Sequence, residues 1–102
     1  MKVLDIDFGE GWNAPSTSAG LQTILAEASL NFYQKPVGYQ GEGGSIPFMK
    51  MLGDNFPKAQ FAIVGVLGPN SNAHGPNEFL HIPMAKKLTC CVSYIVNEFS
   101  KL

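Results

Sequence analysis

The order of hydropathy patterns along this 102-residue chain predicts an α/β fold, with helices packed on a small mixed sheet. Three observations carry that expectation. Residues 3–8 alternate apolar and acidic side chains (Leu4, Ile6 and Phe8 against Asp5 and Asp7), the period of a half-buried strand. Two longer stretches repeat apolar residues at helical spacing. Residues 59–67 are almost entirely apolar, as expected of a central strand covered on both faces.

In chain order, the strand at 3–8 is followed by a connector, Gly9-Glu10-Gly11-Trp12-Asn13-Ala14-Pro15. Ser16, Thr17 or Ser18 can cap the next helix, whose positions Leu21, Ile24, Leu25, Ala28 and Phe32 share one face. Lys35-Pro36 stops it, because the residue before a proline is pushed out of the helical region. A short strand is expected at 37–39. A short helix should open at Ser45, with Pro47 in the first turn where a missing N–H costs nothing, and end near Gly53-Asp54. The strong strand at 59–67 then leads into a long loop, 68–83, holding Pro69, Pro76 and Pro83, Asn70, Asn72 and Asn77, and both histidines. Loops of that length are commonly functional or disordered. A helix over 84–99, with Leu88, Val92, Ile95 and Phe99 on one face, closes the chain.

Composition narrows the function. The chain is 45% hydrophobic and 15% charged, with a net charge of −1, so it is globular and not disordered. Its basic residues are all lysines, and a nucleic-acid surface would carry arginine and a clear basic excess. Bidentate arginine clamps for phosphate or carboxylate are likewise excluded within these residues. Cys90 and Cys91 are adjacent, which is no disulfide scaffold and fits a reducing, cytoplasmic location. No apolar h-region opens the sequence, and no apolar run reaches the length of a membrane span.

Two segments carry chemistry. In Gly41-Glu42-Gly43-Gly44-Ser45-Ile46-Pro47 the glycines clear space for a ligand to approach the backbone. A helix starting at Ser45 would offer unpaired N–H groups and its positive dipole end to a carboxylate or phosphate. A glycine-rich turn ahead of a capped helix explains the same residues equally well. Glu42 either accepts from a ligand ammonium or only solvates the loop. The order G-x-G-G lacks the spacing of a dinucleotide fingerprint, and Ser45 lacks a nucleophile elbow. In the second segment, Ala73-His74-Gly75-Pro76-Asn77-Glu78, a histidine follows the end of the strong strand, where open α/β sheets bind ligands. His74 and His81 are seven apart with Pro76 between them, which is not zinc-ligand helical spacing, and His81 is expected to pack or cap.

With Trp12-Asn13-Ala14-Pro15, Glu42-Gly43-Gly44-Ser45-Ile46-Pro47 and Ala73-His74-Gly75-Pro76-Asn77-Glu78 in that order, the chain resembles a family of metallopeptidases. It is similar to the C-terminal part of the co-catalytic enzymes that include carnosinase, cytosolic nonspecific dipeptidase, aminoacylase and the glutamate carboxypeptidases, and most to the dipeptidase branch. The resemblance implies that residues 1–8 are the last strand of a lid or dimerisation domain, 9–15 a linker, and 16–102 the C-terminal segment of the catalytic domain. It makes His74 a ligand of one of two divalent ions, zinc or manganese. Glu42, Gly43, Gly44 and Ser45 become the substrate-binding loop, with Gly44 and Ser45 on the substrate's carboxylate. Asn77 and Glu78 would order the loop around His74. The implied substrate is a dipeptide or an acyl-amino acid. The family's H-x-D motif, bridging aspartate, Glu-Glu pair, and lid histidine and arginine have no counterpart here. The expected partners are therefore the enzyme's N-terminal part and a second copy in a homo-oligomer. Alone, the chain is expected to be inactive. A small non-enzymatic α/β module, binding a carboxylate or phosphate at the Ser45 helix start, is the competing reading.

Overall fold

The structure, a computed structural model, describes residues 11–41 and 47–102. The expected strand at 3–8 lies outside them. Among the described residues there are three helices and no strand: α1 (Ala19–Tyr33), α2 (Pro47–Asn55) and α3 (Ile82–Phe99). This corrects the α/β expectation: there is no mixed sheet for the helices to pack on. Residues 37–39 and 59–67 carry no ladder. Apolar composition makes a strand possible, but a strand exists only when a second one satisfies its N–H and C=O groups, and none does so here.

The helices themselves follow local rules. Ser18 caps α1, its hydroxyl accepting from the Leu21 N–H at 3.3 Å. The helix ends through Gln34 in the left-handed region (φ 53°), whose N–H reaches back to the Leu30 carbonyl, just ahead of Lys35-Pro36. Helix α2 opens on Pro47, as its fixed φ favours. Helix α3 starts two residues earlier than its periodicity suggests, because His81 caps it: the ring Nδ1 accepts from the Met84 N–H at 3.2 Å, and Pro83 sits in the first turn.

The chain divides into two compact units. In Met1–Ser16 with Tyr39–Phe61, the described part centres on Trp12. Its ring meets Phe61 edge-on at 5.0 Å, a favoured aromatic geometry. Gly53 of α2 lies so close to the indole that a Cβ there would sit 2.6 Å from Nε1. A helix of nine residues is marginal alone, so this packing matters more than the exposed Lys50–Asp54 ion pair at 2.7 Å.

The second unit, Thr17–Gly38 with Ala62–Leu102, is built on α1 against α3. Tyr33 meets Met84 and Gly20 meets Leu102, so the helices run antiparallel. Leu21, Ile24, Ala28 and Cys91 are the buried apolar residues. The Cys91 Sγ–H donates to the Ala28 carbonyl at 3.6 Å. On either side, the Tyr33 hydroxyl reaches the Met84 carbonyl (3.3 Å) and Sδ (3.2 Å), and the Tyr94 hydroxyl donates to the Glu27 carboxylate at 2.9 Å.

Burial, and then the neighbouring Cys90, push the Cys91 thiol up from its ordinary value. The folded state thus holds that proton longer than the unfolded chain does. The linked stability is complete below the unfolded thiol value and fades as pH rises through the folded one. Under native conditions a thiol reagent is expected to modify exposed Cys90 stoichiometrically while Cys91 reacts only through opening of the α1–α3 pair. Peptide mapping after timed alkylation checks this; equal rates at the two positions would place Cys91 outside the core.

Candidate functional site

The glycine segment at Glu42, Gly43, Gly44 and Ser45 lies outside the described residues. The described candidate site is the loop that carries His74, between Gly68 and His81.

Its backbone is organised by short-range bonds. The Ser71 N–H donates to the Gly68 carbonyl at 3.3 Å, and the Gly68 N–H donates to the Ser71 hydroxyl at 3.1 Å. Ser71 is 3% exposed, unusual for a serine in so polar a loop. Its carbonyl then accepts from the Phe79 N–H at 3.1 Å, so residues 72–78 form a projection closed at its neck by one hydrogen bond. Within the projection the Gly75 N–H donates to the Asn72 carbonyl at 3.0 Å, and the Asn72 side-chain amide donates to the Pro76 carbonyl. Gly75 packs against that amide: a Cβ would lie 2.7 Å from Oδ1.

Asn70, Asn72, His74 and Asn77 all have positive φ, between 56° and 61°. Asparagine tolerates the left-handed region by bonding its own backbone. Histidine does so less readily, at a cost of about 1–2 kcal/mol. The bonds at Asn72 and Ser71 hold His74 there. The ring is exposed, and no described residue forms a hydrogen bond with it. It is available as a nitrogen donor on a braced loop.

A metal needs three or four such donors. Among the described residues no group of three His, Cys, Asp or Glu side chains comes together. His81 is committed to the α3 cap, and Cys90 and Cys91 project from different sides of α3, one exposed and one buried. His74 is therefore at most one donor, and the described residues alone complete no metal site. Asn77 and Glu78 are exposed, and the hydrogen bonds that brace the loop among the described residues are those of Asn72 and Ser71. Neither was singled out from the sequence. Asn72 could have been found as an Asx-type turn residue three positions before Gly75-Pro76. A buried neck serine has no sequence signal, because its burial depends on how the loop folds over it.

No helix among the described residues is long and apolar enough to cross a membrane. No family model matches the chain. A stretch of it is similar to the cysteinylglycine-S-conjugate dipeptidase of Corynebacterium striatum, 42% identical over 52 residues. The match takes in 45% of this chain and 11% of that protein, so the chain spans only a small part of its relative's length.

Proposed function

We propose that these residues form the C-terminal portion of a two-metal, dipeptidase-like metallopeptidase. The observation that carries the reading is the partial likeness to a dipeptidase. It joins the ordered motifs around Ser45 and His74, whose residue types suit a carboxylate and a metal.

In this reading His74 donates one ligand to one of two divalent ions, zinc or manganese. The loop geometry supports it: an exposed imidazole, held at positive φ by bonds that leave both ring nitrogens open. When bound, the metals would supply Lewis acidity and a water of lowered pKa for peptide hydrolysis. The chain's own contribution is positional. Gly44 and Ser45 offer backbone N–H groups and a hydroxyl to the substrate's carboxylate, shortly ahead of α2, which begins at Pro47 and whose positive end favours an anion. Glu42 lies beside the substrate's amino end, and Asn77 and Glu78 follow His74 in the loop that Asn72 and Ser71 brace. The substrate class is a dipeptide or acyl-amino acid, and the remaining ligands come from an N-terminal part.

The 102-residue chain alone is expected to show no peptidase activity and no stoichiometric zinc binding at micromolar metal, since one imidazole cannot fill a coordination shell. Titration calorimetry tests the second point, and tight one-to-one binding would sink it. The function itself is tested on the gene product that includes all in-frame codons upstream of Met1. That protein is expected to hydrolyse dipeptides, and His74→Ala to cost more than about 100-fold, the upper end for losing a mere outer-shell partner. Unchanged hydrolysis by His74→Ala would overturn the assignment.

A further inference from the structure

The two ends of the His74 loop meet at one titratable side chain. Gly68 lies so close to His81 that a Cβ on it would sit 2.3 Å from the His81 Cβ and 2.8 Å from Nδ1. That same Nδ1 accepts from the Met84 N–H at 3.2 Å and caps α3. One imidazole thus closes the loop at its base and starts the helix that follows.

A second closure lies inside the first. The Gly68 N–H donates to the Ser71 hydroxyl, and the Ser71 N–H donates to the Gly68 carbonyl. The Ser71 carbonyl in turn accepts from the Phe79 N–H, two residues before His81. Movement of the His81 ring therefore acts on both sides of the neck, on Gly68 by contact and on Phe79 through the backbone.

The bond at Nδ1 exists in one protonation state only. A ring whose Nδ1 accepts carries its proton on Nε2 and is neutral. A second proton goes to Nδ1 and turns the acceptor into a donor that faces another donor. It also sets a positive charge at the positive end of the α3 dipole. The hydroxyl of Ser18, which caps α1, has no such weakness, because it does not titrate between about pH 5 and 8, where imidazoles change charge.

Nothing close by in the chain is placed to offset the added charge. The loop base, Gly68-Pro69-Asn70-Ser71, and the first turn of α3, Ile82-Pro83-Met84-Ala85, hold no ionisable side chain. The titratable groups on the elements around the ring are His74 and Glu78 in the loop, Lys86 and Lys87 further into α3, and Tyr33 at the end of α1. Among the described residues none of these bonds to the ring, whose partner is the Met84 N–H. Tyr33 is held instead by Met84, with the Lys87 ammonium 5.7 Å from the centre of its ring.

We propose that His81 is a proton-operated latch. Neutral, it caps α3 and closes the base of the His74 loop; protonated, it releases both. The latch does not rest on the metallopeptidase reading, and its test needs neither metal nor substrate.

NMR of the 102-residue chain tests it. Long-range proton–nitrogen spectra should show the neutral His81 ring in its Nε2–H form. As the ring takes up its second proton, the Met84 and Phe79 amides should lose protection against hydrogen exchange together. After correction for intrinsic exchange the loss should be at least about fivefold, the ordinary worth of an N-cap. The Leu21 amide, capped by Ser18, should keep its protection over the same range. His81→Asn supplies a cap that does not titrate and should abolish the pH dependence at both amides. A neutral ring in the Nδ1–H form, or a His81 titration that leaves either amide's protection unchanged, would overturn the proposal. So would an equal loss at Leu21, or a His81→Asn chain that keeps the wild-type pH dependence.

Discussion

A Gly68→Ala variant is expected to lose at least about 3 kcal/mol, the upper end of ordinary overpacking penalties. The reason is where the added methyl would fall. It would lie 2.3 Å from the His81 Cβ and 2.4 Å from Cγ, far inside contact distance. The Cβ is fixed to the backbone, so no rotamer change moves it away, and turning Cγ aside would break the cap. Either the loop or the start of α3 must shift. His81 then loses the geometry in which Nδ1 accepts from the Met84 N–H, and an N-cap is worth about 1 kcal/mol by itself. Gly68 also donates to Ser71, so the neck of the His74 projection loosens with it. The measurement is a melt followed by helical signal, with a drop of roughly 10–20 °C expected. A His81→Ala variant on the same background gives the control. If the clash acts through the cap, the two losses will be less than additive. A Gly68→Ala protein that melts with the wild type would refute the close approach.

Replacing Leu21 by alanine is expected to cost about 2–5 kcal/mol, a large share of the 5–15 kcal/mol that holds a domain together. Leu21 is 3% exposed and belongs to a core of few residues, with Ile24, Ala28 and Cys91. A small core cannot relax far to refill the space, so the cavity term stays near its full value. Its backbone N–H is the group capped by Ser18, and the substitution leaves that bond intact, so the loss reports packing alone. Leu21→Met, nearly volume-conserving, should cost under about 1.5 kcal/mol. Urea titration of both variants separates the readings. A loss from Leu21→Ala no larger than that of Leu21→Met would show that the α1–α3 seam is not the stabilising core.

Helix α1 was legible because its signals are local: Ser18 before the apolar face, and Lys35-Pro36 after it. The face itself was read correctly at Leu21, Ile24 and Ala28. Helix α3 was read correctly at Leu88 and Ile95, which are half-buried, and wrongly at Val92 and Phe99. Leu88, Val92, Ile95 and Phe99 were expected inside, yet Val92 and Phe99 are exposed and Cys91 is buried. The periodicity of α3 admits both stripes, and the choice between them depends on the partner helix. Met84, Leu88, Cys91 and Ile95 are the residues turned toward α1, since Tyr33 and Ala28 find Met84 and Cys91 there. The strands at 37–39 and 59–67 failed for a different reason. Hydropathy marks a segment able to pair, while pairing itself needs a second strand that no local pattern supplies.

For the candidate site, Gly75, Pro76 and the asparagines marked the His74 loop as irregular from composition alone. The bracing by Asn72 and the buried neck at Ser71 were not readable, because both depend on which carbonyl the closed loop brings within reach.

The sequence by itself determined where α1 begins and ends, that no arginine clamp lies within these residues, and which side chains could donate to a metal or a carboxylate. Each of these is a property of a side chain and its near neighbours. Only the tertiary structure decided which face of α3 is buried, which histidine is consumed as a cap, and that residues 62–67 have no strand beside them among the described residues. Those outcomes require contacts between residues far apart in the chain, where burial and hydrogen bonding are settled by what arrives opposite.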